Sequence, residues 1–396
     1  MPESRLRVAI FSDSFPPILN GVSVSIESLV EELRRRGHSV HIFTSGAPGY
    51  RDADPNVFRF RSVVTPWAKG YPLAVPPFYP MLFEFRKHEY DIVHTHTPYT
   101  VGFVGLRWAQ SHGIPIVSTY HTLYDRYAHY VPFLPRRYAR YKIAKHTNYY
   151  YNRVNQVITP TEASLRWLQR HSVYASITVI PTGIVRRRMV DRGEARLQLG
   201  IDPLHRIMLY VGRLAGEKNL DTLFSAACLV FDADPQARLW LVGDGPYRDA
   251  CANIVRSMEI GDRVRLVGAV PRSDVETYYS AADAFVFSSV TETQGLVVQE
   301  AMLHGLPSVV VQGGGASAAL KDGVTGFIVK NDPTAIADRV MDLFEDERLY
   351  AEISEAAARE AREFTVQAMT DRTIEVYHRA MAAGSPYAFV PENVKG

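Results

Sequence analysis

The stretch Thr291-Glu292-Thr293-Gln294-Gly295-Leu296-Val297-Val298-Gln299-Glu300-Ala301-Met302 decides the fold and the position of the site. It follows an apolar, β-rich run over residues 284–289 and leads into a helical pattern that reaches Pro307. A strand, a short polar loop and a helix in this order place the loop at the carboxyl end of a sheet, where open α/β folds bind ligands. The sequence therefore predicts the active site at this loop.

Two carboxylates eight positions apart can perform separate tasks here. Glu292 lies on the predicted loop, and Glu300 falls about two turns into the predicted helix. Gly295 between them lets backbone approach a ligand closely and presents a helix N-terminus to an anion. A carboxylate that accepts paired sugar hydroxyls makes a strong, directional contact. The alternative is that Glu292 caps the helix and Glu300 lies on a solvated helix face.

Two series of buried strands, mostly separated by helical patterns, divide the chain. The first series covers residues 7–11, 38–44, 92–94, 114–119, 157–159 and 177–180, and the second covers 207–212, 239–243, 264–268, 284–289, 308–311 and 327–329. The length of 396 residues also fits two domains. We expect an α/β fold with two Rossmann-like domains in tandem, a linker at 183–188 and a ligand-binding cleft between the domains.

Cations follow the first strand of the second series. Arg213 and Lys218, five positions apart on a loop and a helix start, can bracket a diphosphate, the arginine as a bidentate fork and the lysine as a point charge. The alternative is a pair of solvated surface cations. Asp-x-Asp pairs, whose carboxylates can hold a divalent metal, occur at 52–54 and 232–234 before prolines, so we predict surface turns there and no metal.

The first domain offers a second set of polar residues at predicted strand ends. After its first strand come Asp13, Asn20 and Gly21, and the glycine can present backbone N–H groups to a phosphate, although one glycine at such a turn is more often structural. His121 follows the strand that ends at Thr119, although a lone histidine there is more often structural. His94 and His96 fit a strand-end turn equally well and are less favoured.

Composition narrows the class of protein. The chain has the apolar and charged fractions of a globular protein, and it has no apolar run long enough to span a bilayer and no signal peptide, which predicts an intracellular protein. Residues 1–190 carry 24 basic and 12 acidic side chains, and the remainder is acidic. The basic half suits nucleic acid, an anionic membrane surface or an acidic acceptor.

These motifs together resemble the retaining family 4 glycosyltransferases of the GT-B fold. The resemblance rests on Glu292-x7-Glu300 with Gly295, on Gly212-Arg213, Lys218-Asn219 and Gly243-Asp244-Gly245-Pro246, and on Gly323-Val324-Thr325-Gly326-Phe327. It implies an acceptor domain over 1–186 that regains a helix from 372–396, and a donor domain over 187–371. It also implies a nucleoside diphosphate sugar as co-substrate, with no metal and no other cofactor.

The resemblance assigns roles residue by residue. The leaving diphosphate would be stabilised by cations, and His121 would position the sugar and acceptor; the transfer would proceed on one face without a carboxylate nucleophile. The catalytic residues implied are His121, Arg213, Lys218 and Glu292. The donor-binding residues implied are Gly21, Arg213, Lys218, Gly243, Glu292, Gln294, Gly295, Leu296 and Glu300. The acceptor-binding residues implied are Asp13, Asn20, Tyr124, Tyr127, His129 and Tyr130.

An aromatic and basic stretch over 120–146 bears on the acceptor. Such a mixture favours an anionic membrane interface, although a core helix with a solvated basic face is the alternative and a nucleic-acid groove has no further support. The sequence over 120–130, together with Asn20-Gly21-Val22 and Thr291-to-Gly295, resembles that of the glucosyltransferases that make monoglucosyl-diacylglycerol. This implies glucose transfer, from UDP-glucose as the expected donor, to a diacylglycerol hydroxyl at the inner face of the cell membrane, by a peripheral protein that binds no nucleic acid.

Several rivals remain at this point. Within the family they are a phosphatidylinositol mannosyltransferase, a sulfoquinovosyl-lipid synthase and a polysaccharide-building transferase. From other classes, the same fold could serve a sugar-nucleotide epimerase or a non-catalytic nucleotide-sugar sensor. The presence of Arg213, Lys218, Glu292 and Glu300 argues against the sensor. Residues 316–319 are Ala-Ser-Ala-Ala, where family members commonly carry an acid, so a role of that loop in donor choice is open.

Overall fold

The computed structural model describes residues 5–18, 20–64, 72–122, 135–185 and 189–384, and its chain forms two compact units. The first unit comprises the described residues up to Gly183 and those from Val366 onward, and the second is Ile184–Thr365. The sequence-based boundaries lie at 186 and 371. Each unit has its own parallel sheet and its own apolar core.

The first unit is built on a seven-stranded parallel sheet with the order β3-β2-β1-β6-β7-β8-β9. Its strands are β1 (Arg7–Ser12), β2 (Ser39–Ser45), β3 (Val57–Phe60), β6 (Ile92–Thr95), β7 (Ile116–Thr119), β8 (Gln156–Thr159) and β9 (Ser176–Val179), and a separate antiparallel hairpin pairs β4 (Ser62–Val63) with β5 (Leu73–Ala74). Continuous apolar strands such as β1 are buried on both faces, as parallel sheets require. The sequence did not predict β3, because its central Arg59 interrupts the apolar pattern.

Helices cover the two faces of this sheet. They are α1 (Gly21–Arg35), α2 (Tyr79–Arg86), α3 (Thr100–Ser111), α4 (Arg136–Tyr151), α5 (Glu162–Arg170) and α13 (Val366–Ala383). Right-handed crossovers from β1 to β2 and from β6 to β7 run in opposite directions, so α1 and α3 lie on opposite faces. The last helix, α13, packs against α1, β7 and β8, which returns the end of the chain to the first unit.

The second unit repeats this plan with six parallel strands in the order β12-β11-β10-β13-β14-β15. The strands are β10 (Arg206–Val211), β11 (Ala237–Val242), β12 (Val264–Gly268), β13 (Ala284–Phe287), β14 (Ser308–Val311) and β15 (Phe327–Val329). The helices are α6 (Arg192–Leu199), α7 (Leu220–Ala233), α8 (Arg248–Ser257), α9 (Arg272–Ala281), α10 (Leu296–Leu303), α11 (Pro333–Glu345) and α12 (Glu347–Ala361). The structure thus confirms the predicted class: two parallel α/β sheets covered by helices.

The packing of α3 on β1 leaves no room for a side chain at Gly105. A Cβ added there would lie 2.6–2.9 Å from the ring and Cβ of Phe11. Phe11 is fully buried and stacks on Phe43 with ring centroids 4.7 Å apart. The glycine therefore sets the distance between helix and sheet.

We predict that Gly105→Ala destabilises the first unit by about 1–3 kcal/mol, because the added methyl group overpacks a rigid core. The thermal midpoint of that unit, followed by circular dichroism, should fall by roughly 2–10 °C. Gly261→Ala is the control, since its added Cβ would make only an ordinary contact with Val255. An unchanged midpoint for Gly105→Ala would contradict this account of the packing.

Candidate active site

The strand order of the second unit reverses between β10 and β13. From β10 the chain moves outward to β11 and β12, and then returns to the other side of β10 with β13. The loops that follow β10 and β13 therefore diverge at the carboxyl edge of the sheet, and this is where doubly wound folds bind ligands. Arg213 and Lys218 lie on the first of these loops, and Glu292 lies on the second.

An ion pair joins the two loops. Lys218 Nζ donates to Glu292 Oε1, and the two side chains are only 10% and 23% exposed. The backbone carbonyl of Lys218 also accepts a hydrogen bond from Ser288 Oγ at 2.9 Å. Lys218 is thus a partly buried cation at the switch point, and the alternative of a solvated surface lysine is wrong.

Arg213 is paired within its own loop. Its Nη2 lies 2.5 Å from Glu217 Oε1, and the side chain of Glu217 is 6% exposed while that of Arg213 is 35% exposed. The guanidinium is therefore held at the surface of the site by a buried carboxylate. A planar guanidinium of this kind suits an anion such as a phosphate, which it can bind with two parallel N–H groups.

Gly295 begins α10 in a conformation that favours glycine. Its φ is +74°, and an added Cβ would lie 2.7 Å from the Cα of Ala316. No side chain caps the helix, so the alternative that Glu292 is the capping group is wrong. Leu296 is the first helical residue, and the N–H groups of this turn are suited to an anion.

Glu300 lies in the second turn of α10 and not on a solvated face. Its Oε2 accepts a hydrogen bond from the hydroxyl of Tyr279 at 3.0 Å, and its Oε1 lies 3.7 Å from Arg272 Nη2. Both partners belong to α9. Burial raises the pKa of Glu300, while Arg272 and Tyr279 act in the opposite direction. The carboxylate is thus oriented by neighbours and remains 25% exposed.

Two further predicted donor residues lie at the same edge. Gly243 follows β11, and its N–H donates to the carbonyl of Gly268 at 2.9 Å. Gln294 is 7% exposed, and its amide Nε2 donates to Gln299 Oε1 at 2.8 Å. The side chain of Gln294 therefore supports the loop from inside. Their roles in donor binding stay predictions.

The first unit has its own switch point, between β1 and β6. Asp13 follows β1 and bridges to the loop after β6: its Oδ2 accepts from the hydroxyl of Thr97 at 2.5 Å, and its Oδ1 accepts from the N–H of Val101 at 2.9 Å. The carboxylate thus serves the N-terminus of α3. Burial raises the pKa of Asp13, whereas these hydrogen bonds lower it.

Asn20 and Gly21 form the start of α1. Asn20 Oδ1 accepts from the N–H groups of Val22 and Ser23, both at 3.0 Å, and Nδ2 donates to Ser14 Oγ at 2.7 Å. Gly21 is the first helical residue. The asparagine side chain is a helix cap, and an acceptor contact from it stays a prediction.

His121 belongs to a row of histidines. His121 Nε2 lies 2.8 Å from His96 Nδ1, and the ring of His96 lies 4.0 Å from that of His94. His94 is fixed by Thr119 Oγ1 and by the hydroxyl of Tyr377, each at 2.7 Å. Burial lowers the pKa of His94 and of His121 to about 3 and that of His96 well below its usual value. The row is therefore neutral near pH 7.

Some predictions fall elsewhere. Tyr124, Tyr127, His129 and Tyr130 lie outside the described residues. The prediction of a surface turn at 232–234 is wrong for Asp234, which is 4% exposed and pairs with Arg206 at 2.8 Å. In the other Asp-x-Asp stretch Asp52 pairs with Arg59 at 2.6 Å. The described part of the chain contains no cluster of three or more His, Cys, Asp or Glu arranged to hold a metal.

The site contains side chains that the sequence did not single out. Glu217, Arg272 and Tyr279 contact the predicted donor residues, and Tyr377 contacts the histidine row. Only Glu217 carried a usable signal, because it stands four positions after Arg213 and next to Lys218. The others come from helices distant in sequence, and their contacts depend on how those helices pack.

Comparison with known proteins identifies relatives of this chain. Residues 19–188 match the model of Glycosyltransferase Family 4, and residues 191–360 match Glycosyl transferases group 1. The α-monoglucosyldiacylglycerol synthases of Streptococcus pneumoniae and Acholeplasma laidlawii are 31% and 32% identical over 77% and 83% of this chain, and over 70% and 86% of their own lengths. A GDP-mannose-dependent α-mannosyltransferase of Mycobacterium tuberculosis is 30% identical over 87% of this chain and 90% of its own.

Solved structures agree on the fold. Sucrose-phosphate synthase from Thermosynechococcus elongatus superposes with a TM-score of 0.79 at 24% identity, over 96% of this chain and 100% of that one. Anabaena HepE in complex with UDP-glucose gives 0.74 at 20% identity, over 94% and 100%. At these identities the likeness shows the GT-B fold alone.

The histidine row predicts how the first unit responds to acid. An unfolded histidine titrates near 6.5, so between about pH 6.5 and pH 3 the unfolded chain binds more protons than the folded one, and stability falls as the pH falls. We expect the thermal midpoint of this unit to decrease between pH 7.5 and pH 5.5. Asp13, whose pKa is raised, acts in the opposite direction.

The matched variant is His121→Gln, which removes one of these titratable groups. The free energy of unfolding should then decrease less steeply with falling pH, by at most about 1.4 kcal/mol per pH unit. Thermal denaturation of both proteins across the pH series measures the difference. A midpoint that rises on acidification, or an equal slope in the variant, would be incompatible with a row that stays neutral in the folded protein.

Proposed function

This chain belongs to glycosyltransferase family 4, a family of retaining, nucleotide-sugar-dependent transferases with the GT-B fold, and we propose that it transfers glucose from a nucleoside diphosphate donor to the hydroxyl of diacylglycerol. The observation that carries the acceptor is the identity of 31–32% with two monoglucosyldiacylglycerol synthases. UDP-glucose is the donor we expect.

The surface of the first unit supports a lipid acceptor. Tyr138, Tyr141 and Tyr149 of α4 are 46%, 58% and 41% exposed. The helix carries five Lys and Arg and no Asp or Glu, and its exposed cations include Arg137, Arg140, Lys142 and Lys145. Tyrosines favour a membrane interface, and each Lys or Arg contributes about 1 kcal/mol near anionic lipid, so this surface suits peripheral attachment.

An exposed pair of aromatic side chains on α2 also supports this proposal. Tyr79 and Phe83 of α2 are each 62% exposed, and their rings lie 6.4 Å apart. Along the described ranges, no helix is both long and apolar enough to cross a bilayer. We therefore propose that the first unit attaches to the inner face of the cell membrane by its surface, where a diacylglycerol hydroxyl is accessible.

The chemistry follows from the donor site. Lys218 and Arg213 would stabilise the charge that develops on the leaving diphosphate when the bond between the anomeric carbon and the phosphate oxygen breaks. Glu292 would accept sugar hydroxyls, and Glu300 would accept ribose hydroxyls. The acceptor oxygen would bond to the anomeric carbon on the same face, and its proton would pass to the leaving phosphate. A neutral His121 would position the groups without taking that proton.

A transfer assay tests the proposal. Purified protein is incubated with radiolabelled UDP-glucose or GDP-mannose and with anionic liposomes that contain or lack diacylglycerol. We expect label to enter the lipid phase from UDP-glucose only when diacylglycerol is present. In a parallel assay with liposomes that contain phosphatidylinositol, transfer of mannose from GDP-mannose would favour the rival phosphatidylinositol mannosyltransferase; the mycobacterial relative is a GDP-mannose-dependent α-mannosyltransferase. Isomerised donor without acceptor would indicate an epimerase, and label in neither product would contradict a lipid acceptor.

We predict that Lys218→Ala and Glu300→Ala each lower turnover about a hundredfold or more, because each removes a charged group proposed to bind the donor. Both proteins should keep the wild-type circular dichroism spectrum. The control is Arg348→Ala: this arginine lies on α12 with its side chain 88% exposed. If either Lys218→Ala or Glu300→Ala stays folded and retains near-full activity, the assignment of that residue is wrong.

A further inference from the structure

Each of the two cations proposed to bind the diphosphate is already paired with a carboxylate. Arg213 is paired with Glu217, and Lys218 is paired with Glu292. The two carboxylates differ in what they can do next. Glu292 has a proposed partner in the sugar hydroxyls, whereas nothing in the proposed chemistry uses Glu217.

The position of Glu217 is fixed by the loops around it. It lies in the 3₁₀ turn Gly216–Lys218, directly before Lys218. Its carbonyl accepts from the hydroxyl of Thr291 at 3.4 Å, and the carbonyl of Lys218 accepts from Ser288 Oγ at 2.9 Å. The turn is thus tied to the loop after β13. A side chain that is 6% exposed on such a turn has little freedom to leave.

The charges in this group balance before any donor binds. Two cations face two carboxylates, and one of those carboxylates is nearly buried. A nucleoside diphosphate brings two or more negative charges to the same place. In a partly desolvated site a like charge a few ångströms away raises the free energy of the bound anion. Glu217 must therefore oppose the diphosphate even as it holds Arg213.

We propose that Glu217 is an internal counter-ion of the donor site, which weakens nucleoside diphosphate binding by competing with the phosphates for Arg213. The inference rests on the proposed donor site. A similar exchange follows at Lys218. Phosphates that pair with the lysine displace Glu292, which therefore becomes available to sugar hydroxyls only after the diphosphate has bound. The same competition promotes release of the nucleoside diphosphate product after transfer.

Isothermal titration with UDP and with GDP tests this. Glu217→Gln removes the charge while an amide oxygen still accepts from Arg213, and it should bind UDP roughly threefold to tenfold more tightly than wild type. The matched control is Asp234→Asn, which neutralises an equally buried, arginine-paired carboxylate at the opposite edge of the same sheet and should leave UDP affinity unchanged. In the transfer assay, UDP should inhibit Glu217→Gln more strongly than wild type.

The sign of the change is decisive. A carboxylate that only orients Arg213, or only stabilises the fold, would give weaker or equal UDP binding in Glu217→Gln, and either result overturns the proposal. Glu217→Ala provides the same test if the glutamine variant does not fold. Arg213→Gln separates the two levels: if it leaves UDP affinity unchanged, the donor site itself is misplaced and the counter-ion role fails with it. If Arg213→Gln weakens binding while Glu217→Gln does not strengthen it, only the counter-ion role fails.

Discussion

The reversal of strand order beside the first strand of each sheet is the constraint on which the placement of the functional side chains depends. In the second unit it separates the loops after β10 and β13, and in the first unit it separates those after β1 and β6. Backbone at the carboxyl edge is free of sheet pairing there, so polar side chains can converge without breaking a ladder. Lys218 and Glu292 meet across one reversal, and Asp13 and Thr97 meet across the other.

The two edges satisfy their polar groups in different ways. In the second unit the contacts are ion pairs, with Lys218 on Glu292 and Arg213 on Glu217. In the first unit the histidine row, His94, His96 and His121, is held by hydrogen bonds and stays neutral because burial lowers its pKa values. A site of exchangeable charges suits an anionic diphosphate, whereas a neutral, fixed row suits an uncharged hydroxyl.

Much of this could be predicted from the sequence, because parallel strands buried on both faces leave an unmistakable apolar pattern. The run Phe327–Val329 is a strand as predicted, and Arg213, Lys218 and Glu292 lie at the predicted edge. Short or polar elements such as β3 were not predicted. The prediction for Asp234 was wrong, because an acidic residue next to a proline is typical of a surface turn and its arginine partner is distant in the sequence.

The contacts of side chains from distant helices could not be predicted. Tyr279 reaches Glu300 from α9, and Tyr377 reaches His94 from α13, across a separation of 283 residues in the chain. No periodicity encodes such a pairing, since it depends on how two helices pack against one sheet. Glu217 is the intermediate case. Its spacing from Arg213 is visible in the sequence, but a role for a carboxylate beside two cations can be inferred only when its burial is known.

The proposed donor site is tested most directly by a crystal structure of this protein with UDP bound. We expect the phosphates to lie at the N-terminal end of α10 and to contact Lys218 and Arg213. We also expect the ribose hydroxyls to contact Glu300, and Glu292 no longer to pair with Lys218. A nucleotide bound elsewhere, or bound at this edge with both ion pairs intact, would contradict the proposed donor site.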